Sequence, residues 1–333
     1  MNLFVLVTAV AGWSNVSHEI IASVAAQRLS PLAATFVSSA FDLADPSQVA
    51  STMVTVSTWA DTAESSRLFP SSDQWHYYNA PKDSPGYADH PCGHECLVSA
   101  LVEQTRIAVT APAPRDAEYA LRFLIHLMGD AHQPLHSGRD ADRGGTNICV
   151  SFPLDEQKRL DKNGWSSLHL AWDLSIPQFA SLKYRDVYAA AEVVLPTGLP
   201  GKEHKFPRFT VDEMAEDLLL RMDFGDIDAD LFASVQVDDE PSLTGVYGDL
   251  VSQMHKLAEL TAYPIAEMAA LGCRDHNSKC PLDRAYFVRN AVIAEQLLAR
   301  AGARLAQLLN TIAAARDSVF SPAHAAGGLL IVI

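Results

Sequence analysis

The stretch HLMGDAHQPLH, residues 126–136, gathers His126, Asp130, His132 and His136 directly after the apolar run YALRFLI. An α-helix turns once every ~3.6 residues, so His126 and Asp130 project from one face, and Pro134 bends the chain before His136. That is metal-ligand spacing, because imidazole nitrogen and carboxylate oxygen are the donors that zinc accepts in compact tetrahedral sites. A lone histidine on an apolar helix is ordinarily a hydrogen-bonded core residue. Here the pairing recurs, with His169 and Asp173 again four apart in SLHLAWD. Two such pairs argue for metal chemistry over coincidental packing.

The elements that must position these residues are helices. Apolar residues fall at helical spacing in SHEIIASVAAQRL, DAEYALRFLIHLMGD, EMAEDLLLRM and the long RAYFVRNAVIAEQLLARAGARLAQLLNTIAAA. NICVSF is the best strand candidate, and nothing alternates as the strands of an α/β sheet would. The segments NAPKDSPGYADHPCG, VVLPTGLPGKEHKFPRF and DDEPSLTG read as surface loops within one domain, not as linkers. The expectation is an all-α, single mainly helical domain over residues 13–318.

The 333 residues, 48% hydrophobic and 20% charged, suffice for a sizeable core. A formal charge of -15 excludes binding nucleic acid through a broad basic surface, which needs Lys and Arg to displace counterions. It does not exclude a phosphate-handling enzyme. MNLFVLVTAVAG, residues 1–12, is too short to span a bilayer and ends in small residues, as a signal peptide does, although its start carries no Lys or Arg. The last residues, 319–333, end in GGLLIVI, which reads as a tail or the start of a membrane anchor. Export suits the cysteines: Cys92 with Cys96, and Cys273 with Cys280, read as two local disulfides, with Cys149 outside both pairs. The alternative for CGHEC is a zinc clip with His94.

Further candidate ligands stand beside aromatic residues: Asp61 in STWAD, His76 in QWHYYNAP, and His18 near the start. From Trp13 to Asp173 the order WSNVSH, WAD, WH, HLMGDAHQPLH, GG, HLAWD resembles the zinc-dependent class I nuclease and phospholipase C superfamily. It is most similar there to single-strand nucleases and 3′-nucleotidase/nucleases. The resemblance implies an all-α fold with a trinuclear zinc cleft, hence three Zn2+. Asp61, His76, His126 and Asp130 would hold one ion; the Trp13 amine and carbonyl, His18 and Asp130 a second; His136, His169 and Asp173 a third. Asp130 would bridge two of them, and with Asp61 is the catalytic candidate. Three dications against three ligand carboxylates would make a cationic pocket on an acidic body. His132 falls outside the ligand pattern, as a support for the ligands or a structural residue.

The function implied is an exported phosphodiesterase, secreted, at the cell surface or in the secretory-lysosomal compartment. Its substrates would be single-stranded RNA or DNA and 3′-nucleotides, with no obligate protein partner and with a membrane only through a C-terminal anchor. Tyr77, after His76, is either a base-stacking platform or a core residue. Family nucleases often carry a basic residue three positions after the WAD aspartate, where this chain has Glu64 and, further on, Arg67. They also tend to read GGN where this chain reads GGTN, so Asn147 and the neighbouring Arg143 are the candidate substrate contacts. A phospholipase C is the alternative, but that branch tends to close the third site with glutamate, and Asp173 favours the nucleases. A zinc-stabilised binding protein without turnover is disfavoured, since structural zinc prefers closed cysteine-rich sites and no thiolate stands among the nine ligand positions. The sequon at Asn15 would put a glycan against the metals and is expected to stay unmodified.

Overall fold

The computed structural model describes residues 13–151, 166–177, 211–221, 231–232, 235–263 and 280–320. The signal-like segment 1–12, the tail beyond 320, Cys273 and the loop VVLPTGLPGKEHKFPRF lie outside the described residues. The described chain is mainly helical: α1 (Asn15–Ala26), α2 (Pro31–Ala40), α3 (Val49–Val56), α4 (Ala63–Leu68), α5 (Leu97–Thr110) and α6 (Glu118–Asp130). There follow α7 (Leu168–Leu170), running straight into a π turn (Ala171–Ser175), then α8 (Val211–Arg221), α9 (Glu240–Leu257) and α10 (Arg284–Phe320).

The helix α1 forms because Ile20, Ile21 and Val24 recur at helical spacing and bury one face, and the same turn buries Ser17 and His18. That face packs on α10, α3 and α8. The long α10, buried along its length from Tyr286 to Arg316, is the spine on which α1, α2, α5 and α6 rest. In α6 the run from Phe123 to Asp130 is buried throughout, so its histidine and aspartate have no solvent to face. The small sheet has the order β2-β1-β3: β1 (Cys149–Ser151) pairs antiparallel with β2 (Ser166–Ser167) and parallel with β3 (Cys280–Pro281). It places β1 beside the entry to α7.

The bend before His136 is present: α6 stops at Asp130, and Gln133 opens a separate 3-10 turn, Pro134–Ser137, that carries His136. One expectation is corrected. DDEPSLTG is not a loop, for α9 begins inside it at Glu240. Asp239 caps that helix by accepting from the Ser242 amide, and Pro241 sits in the first turn, where a missing N–H costs nothing. No helix among the described residues is long and apolar enough to cross a membrane.

Where α6 crosses α1 the two approach so closely that a Cβ on Gly129 would lie 2.8 Å from His18 Nδ1 and 3.2 Å from Ile21 Cδ1. Gly129→Ala should therefore cost ~1–3 kcal/mol by overpacking, lowering the melting temperature, and should weaken metal uptake by displacing His18. Calorimetry and metal titration of the variant check both.

Candidate metal centre

Three groups of side chains bring donor atoms within 4.8 Å of one another: His18, His126 and Asp130; Asp61, His76 and His126; and His136, His169 and Asp173. Asp130 is central. Its Oδ2 lies 2.9 Å from His76 Nδ1 and 3.1 Å from His126 Nε2, while its Oδ1 lies 3.4 Å from His18 Nε2 and 3.6 Å from His136 Nδ1. Asp61 Oδ1 completes one side, 3.5 Å from His76 Nδ1 and 3.6 Å from His126 Nε2. Across the cluster, Asp173 Oδ2 is 3.3 Å from His169 Nε2 and its Oδ1 is 3.6 Å from His136 Nε2.

Both tryptophans of the short motifs have a positioning task. Trp59 precedes Asp61 and Trp75 precedes His76; their rings meet Phe123 edge-on at 5.3 and 4.8 Å, one turn before His126 on α6. Glu64 accepts from Trp59 Nε1 at 3.3 Å, so the residue that replaces a cation here steadies that indole.

The donor set fits metal ions. His126, His136 and His169 each donate Nδ1–H to a backbone carbonyl, those of Ser57, His76 and Gly144, at 2.7, 2.6 and 2.8 Å. Each Nε2 lone pair then faces the cluster, the arrangement that orients imidazole toward a metal. Fully buried polar atoms are ordinarily hydrogen-bonded, yet both His18 nitrogens, Asp130 Oδ1, His136 Nε2 and Asp173 Oδ2 have no such partner. Unpartnered donors of this kind, converging from several elements, are what a cation would satisfy.

Protonation in the metal-free chain follows from the same geometry. Burial disfavours the charged His126 ring, but the carboxylates of Asp130 and Asp61 outweigh it and push its pKa up to about 9. His136 is likewise raised, with Asp130 overcoming burial, and Asp130 is held well below the usual range because His126 and His136 outweigh its desolvation. His18 and His169 are lowered, burial being the main cause.

His132 is a support. It donates Nδ1–H to the Met128 carbonyl at 2.7 Å and accepts at Nε2 from Arg304 of α10 at 3.1 Å, while burial and that guanidinium hold its pKa down to about 3. Trp13 is 1% exposed and donates its indole N–H to the Gly129 carbonyl at 2.9 Å, and Ser14 N–H donates to the Asp173 carbonyl at 2.9 Å. The start of the described chain is thus tied to both halves of the cluster. Below His169, Arg143, Gly144 and Gly145 all have positive φ, and a Cβ on Gly144 would meet the Leu135 carbonyl at 2.3 Å. A clasp holds this turn: Arg139 pairs with both oxygens of Glu259 at 2.6 and 2.7 Å, and Tyr263 donates to Asp142 Oδ1, which accepts from Gly145 N–H.

Tyr77 is 38% exposed, so it is not a core residue. Arg143 and Asn147 are exposed on the turn under His169. Sequence reasoning missed Gln133, whose amide binds Asp173 Oδ1 at 2.6 Å, along with the Trp13 indole and the clasp of Arg139 with Glu259 and Tyr263 with Asp142. Cys92 and Cys96 are disulfide-bonded, which removes the thiolate clip, and Cys280 is disulfide-bonded as well.

A mainly helical chain whose histidines and aspartates converge in three largely buried groups defines a class of metal-dependent proteins. The chain belongs to the S1/P1 nuclease family, whose model matches residues 13–314. It is 30% identical to nuclease S1 of Aspergillus oryzae over 52% of this chain and 57% of that protein. It is also 30% identical to nuclease P1 of Penicillium citrinum, over 50% and 58%. Endonuclease 1 of Arabidopsis thaliana is 24% identical over 97% of this chain and 92% of its own length. The chain spans a little over half the length of the fungal relatives it matches.

A histidine raised from 6.5 to about 9 stabilises the folded metal-free chain below pH 6.5, and that stability is lost as pH rises through about 9. Metal uptake must displace the same proton, so affinity moves the other way. Raising the pH from 6.5 to 9 should lower the melting temperature of the metal-free chain while tightening metal binding; differential scanning calorimetry and competition with a chelator read the two.

Proposed function

We propose that the protein is an exported zinc-dependent phosphodiesterase that cleaves single-stranded RNA and DNA to 5′-nucleotides and removes the 3′-phosphate of 3′-nucleotides. The observation that carries the reading is the convergence of His18, His76, His126, Asp130, His136 and Asp173, all at most 2% exposed, with donor atoms left unpartnered. Asp61, His76, His126 and Asp130 would hold one zinc ion, the Trp13 amine and carbonyl with His18 and Asp130 a second, and His136, His169 and Asp173 a third. When bound, such ions supply the positive charge that acidifies a water and neutralises phosphate.

The chain's own residues do the rest. Asp61, whose side chain is 21% exposed, is the carboxylate open enough to orient the attacking water and take its proton. Tyr77 offers an exposed ring on which a base stacks without its sequence being read. Arg143 and Asn147 flank the turn under His169 and would contact phosphate and base. Both activities break the same bond, between phosphorus and the 3′-oxygen, which is why one site serves a strand and a mononucleotide.

Export is supported by the disulfides, which persist in oxidising compartments. In this reading residues 1–12 are a leader, 13–318 the catalytic domain and 319–333 a tail. An amide nitrogen has no lone pair for a metal, so removal of the leader would free the Trp13 amine and complete the second donor set.

Incubation with single-stranded RNA, 3′-AMP and phosphatidylcholine, with and without chelator, tests the proposal. Hydrolysis of the first two, lost on chelation and regained with zinc, is expected. Turnover of the lipid alone would make the protein a phospholipase C, and full activity without metal would sink the mechanism. In steady-state kinetics Asp130→Asn should abolish the chemical step, whereas Tyr77→Ala should chiefly raise KM, by the ~1–3 kcal/mol of one stacked base. The reverse ranking would remove Asp130 from its role.

A further inference from the structure

We infer that Gln133 is the positioning residue of the third donor group, fixing Asp173 as a one-oxygen donor and setting its register to His136. The inference rests on the metal reading above and concerns a residue outside every ligand set. The Gln133 side chain is fully buried, and both ends of its amide are used. Nε2–H donates to Asp173 Oδ1 at 2.6 Å, and Oε1 accepts from Leu135 N–H at 2.6 Å. The second bond caps the 3-10 turn Pro134–Ser137, the turn that carries His136. One planar group therefore spans the two ligands that the sequence separates most widely from each other in this set, His136 before β1 and Asp173 after β2.

The consequence for Asp173 follows from where its oxygens point. Oδ1 is engaged by the amide, while Oδ2 has no hydrogen-bond partner and lies 3.3 Å from His169 Nε2. A hydrogen bond of this kind fixes the carboxylate's rotation and draws electron density from Oδ1, which faces His136 Nε2 at 3.6 Å, leaving Oδ2, beside His169 Nε2, as the free donor. His136, His169 and one oxygen of Asp173 would hold a metal with three protein donors, the number that catalytic sites use when they leave room for a water or substrate oxygen.

The two functions need an acceptor and a donor on one group of this length. Glutamate keeps the acceptor for Leu135 but loses the donor and sets a second carboxylate against Asp173. Methionine keeps the length and loses both. These substitutions separate positioning of Asp173 from simple capping of the turn.

The test is metal content. Wild type, Gln133→Glu, Gln133→Met and, as a reference lacking the ligand itself, Asp173→Asn are dialysed against zinc buffered at graded free concentrations, and bound metal per chain is counted by mass spectrometry. Both Gln133 variants should lose about one equivalent at a zinc level that keeps the wild type full, its affinity falling ~10–100-fold, with the other equivalents unchanged and the lost one restored at high zinc. Loss in Gln133→Met with full retention in Gln133→Glu would overturn the inference, because capping alone would then explain the residue. Wild-type affinity in both variants would overturn it too. A wild-type chain that bound no zinc would fail the metal reading itself, and this inference with it.

Discussion

Asp130 is a carboxylate with no exposure to water, placed on the last residue of a helix, where the peptide dipoles already concentrate negative charge. Removing a charge from water costs several kcal/mol unless other groups compensate it. The site is organised around that compensation. His18 comes from α1, His76 from the loop before α5, His126 from the previous turn of α6 and His136 from the 3-10 turn beyond it, and all four approach the one carboxylate. The crossing of α1 and α6, and the end of α6 at Asp130 itself, are arrangements that such a gathering demands.

The imidazoles in turn depend on carbonyls from distant segments. Ser57, His76 and Gly144 each orient a ring by accepting its Nδ1–H, so the site is held by backbone that carries no ligand of its own in two of the three cases. The left-handed turn under His169 is braced by a bidentate Arg139–Glu259 pair and by Tyr263, whose phenol burial keeps protonated and hence able to donate. Support for the ligands therefore reaches the residues just after α9, well outside the ligand motifs.

How much of this could be read in advance depends on the kind of signal each residue leaves. His126 with Asp130, and His169 with Asp173, were legible because ionisable residues at a spacing of four are rare on apolar helices. Gln133 was not, since a neutral amide beside a proline is indistinguishable from a loop residue until its partner is known. The indole of Trp13 was hidden because its bond to Gly129 joins residues more than a hundred apart. The helix within DDEPSLTG was masked by a proline that breaks helices in their interior and is tolerated in their first turn. The π turn escaped for another reason: a spacing of four falls near a full revolution in both the α and the wider π geometry, so the His169–Asp173 pattern does not distinguish them.

That π turn, Ala171–Ser175, sets two demands on the chain at odds. Its widened ring gives poorer backbone bonding than a regular helix, and deleting one of its residues would let α7 continue with better-formed bonds. Where the residue removed lies between His169 and Asp173, the same deletion would turn Asp173 away from His169. A deletion that regularises the helix would here separate two ligands, so this short segment is where a search for heat-resistant variants should hold the length fixed.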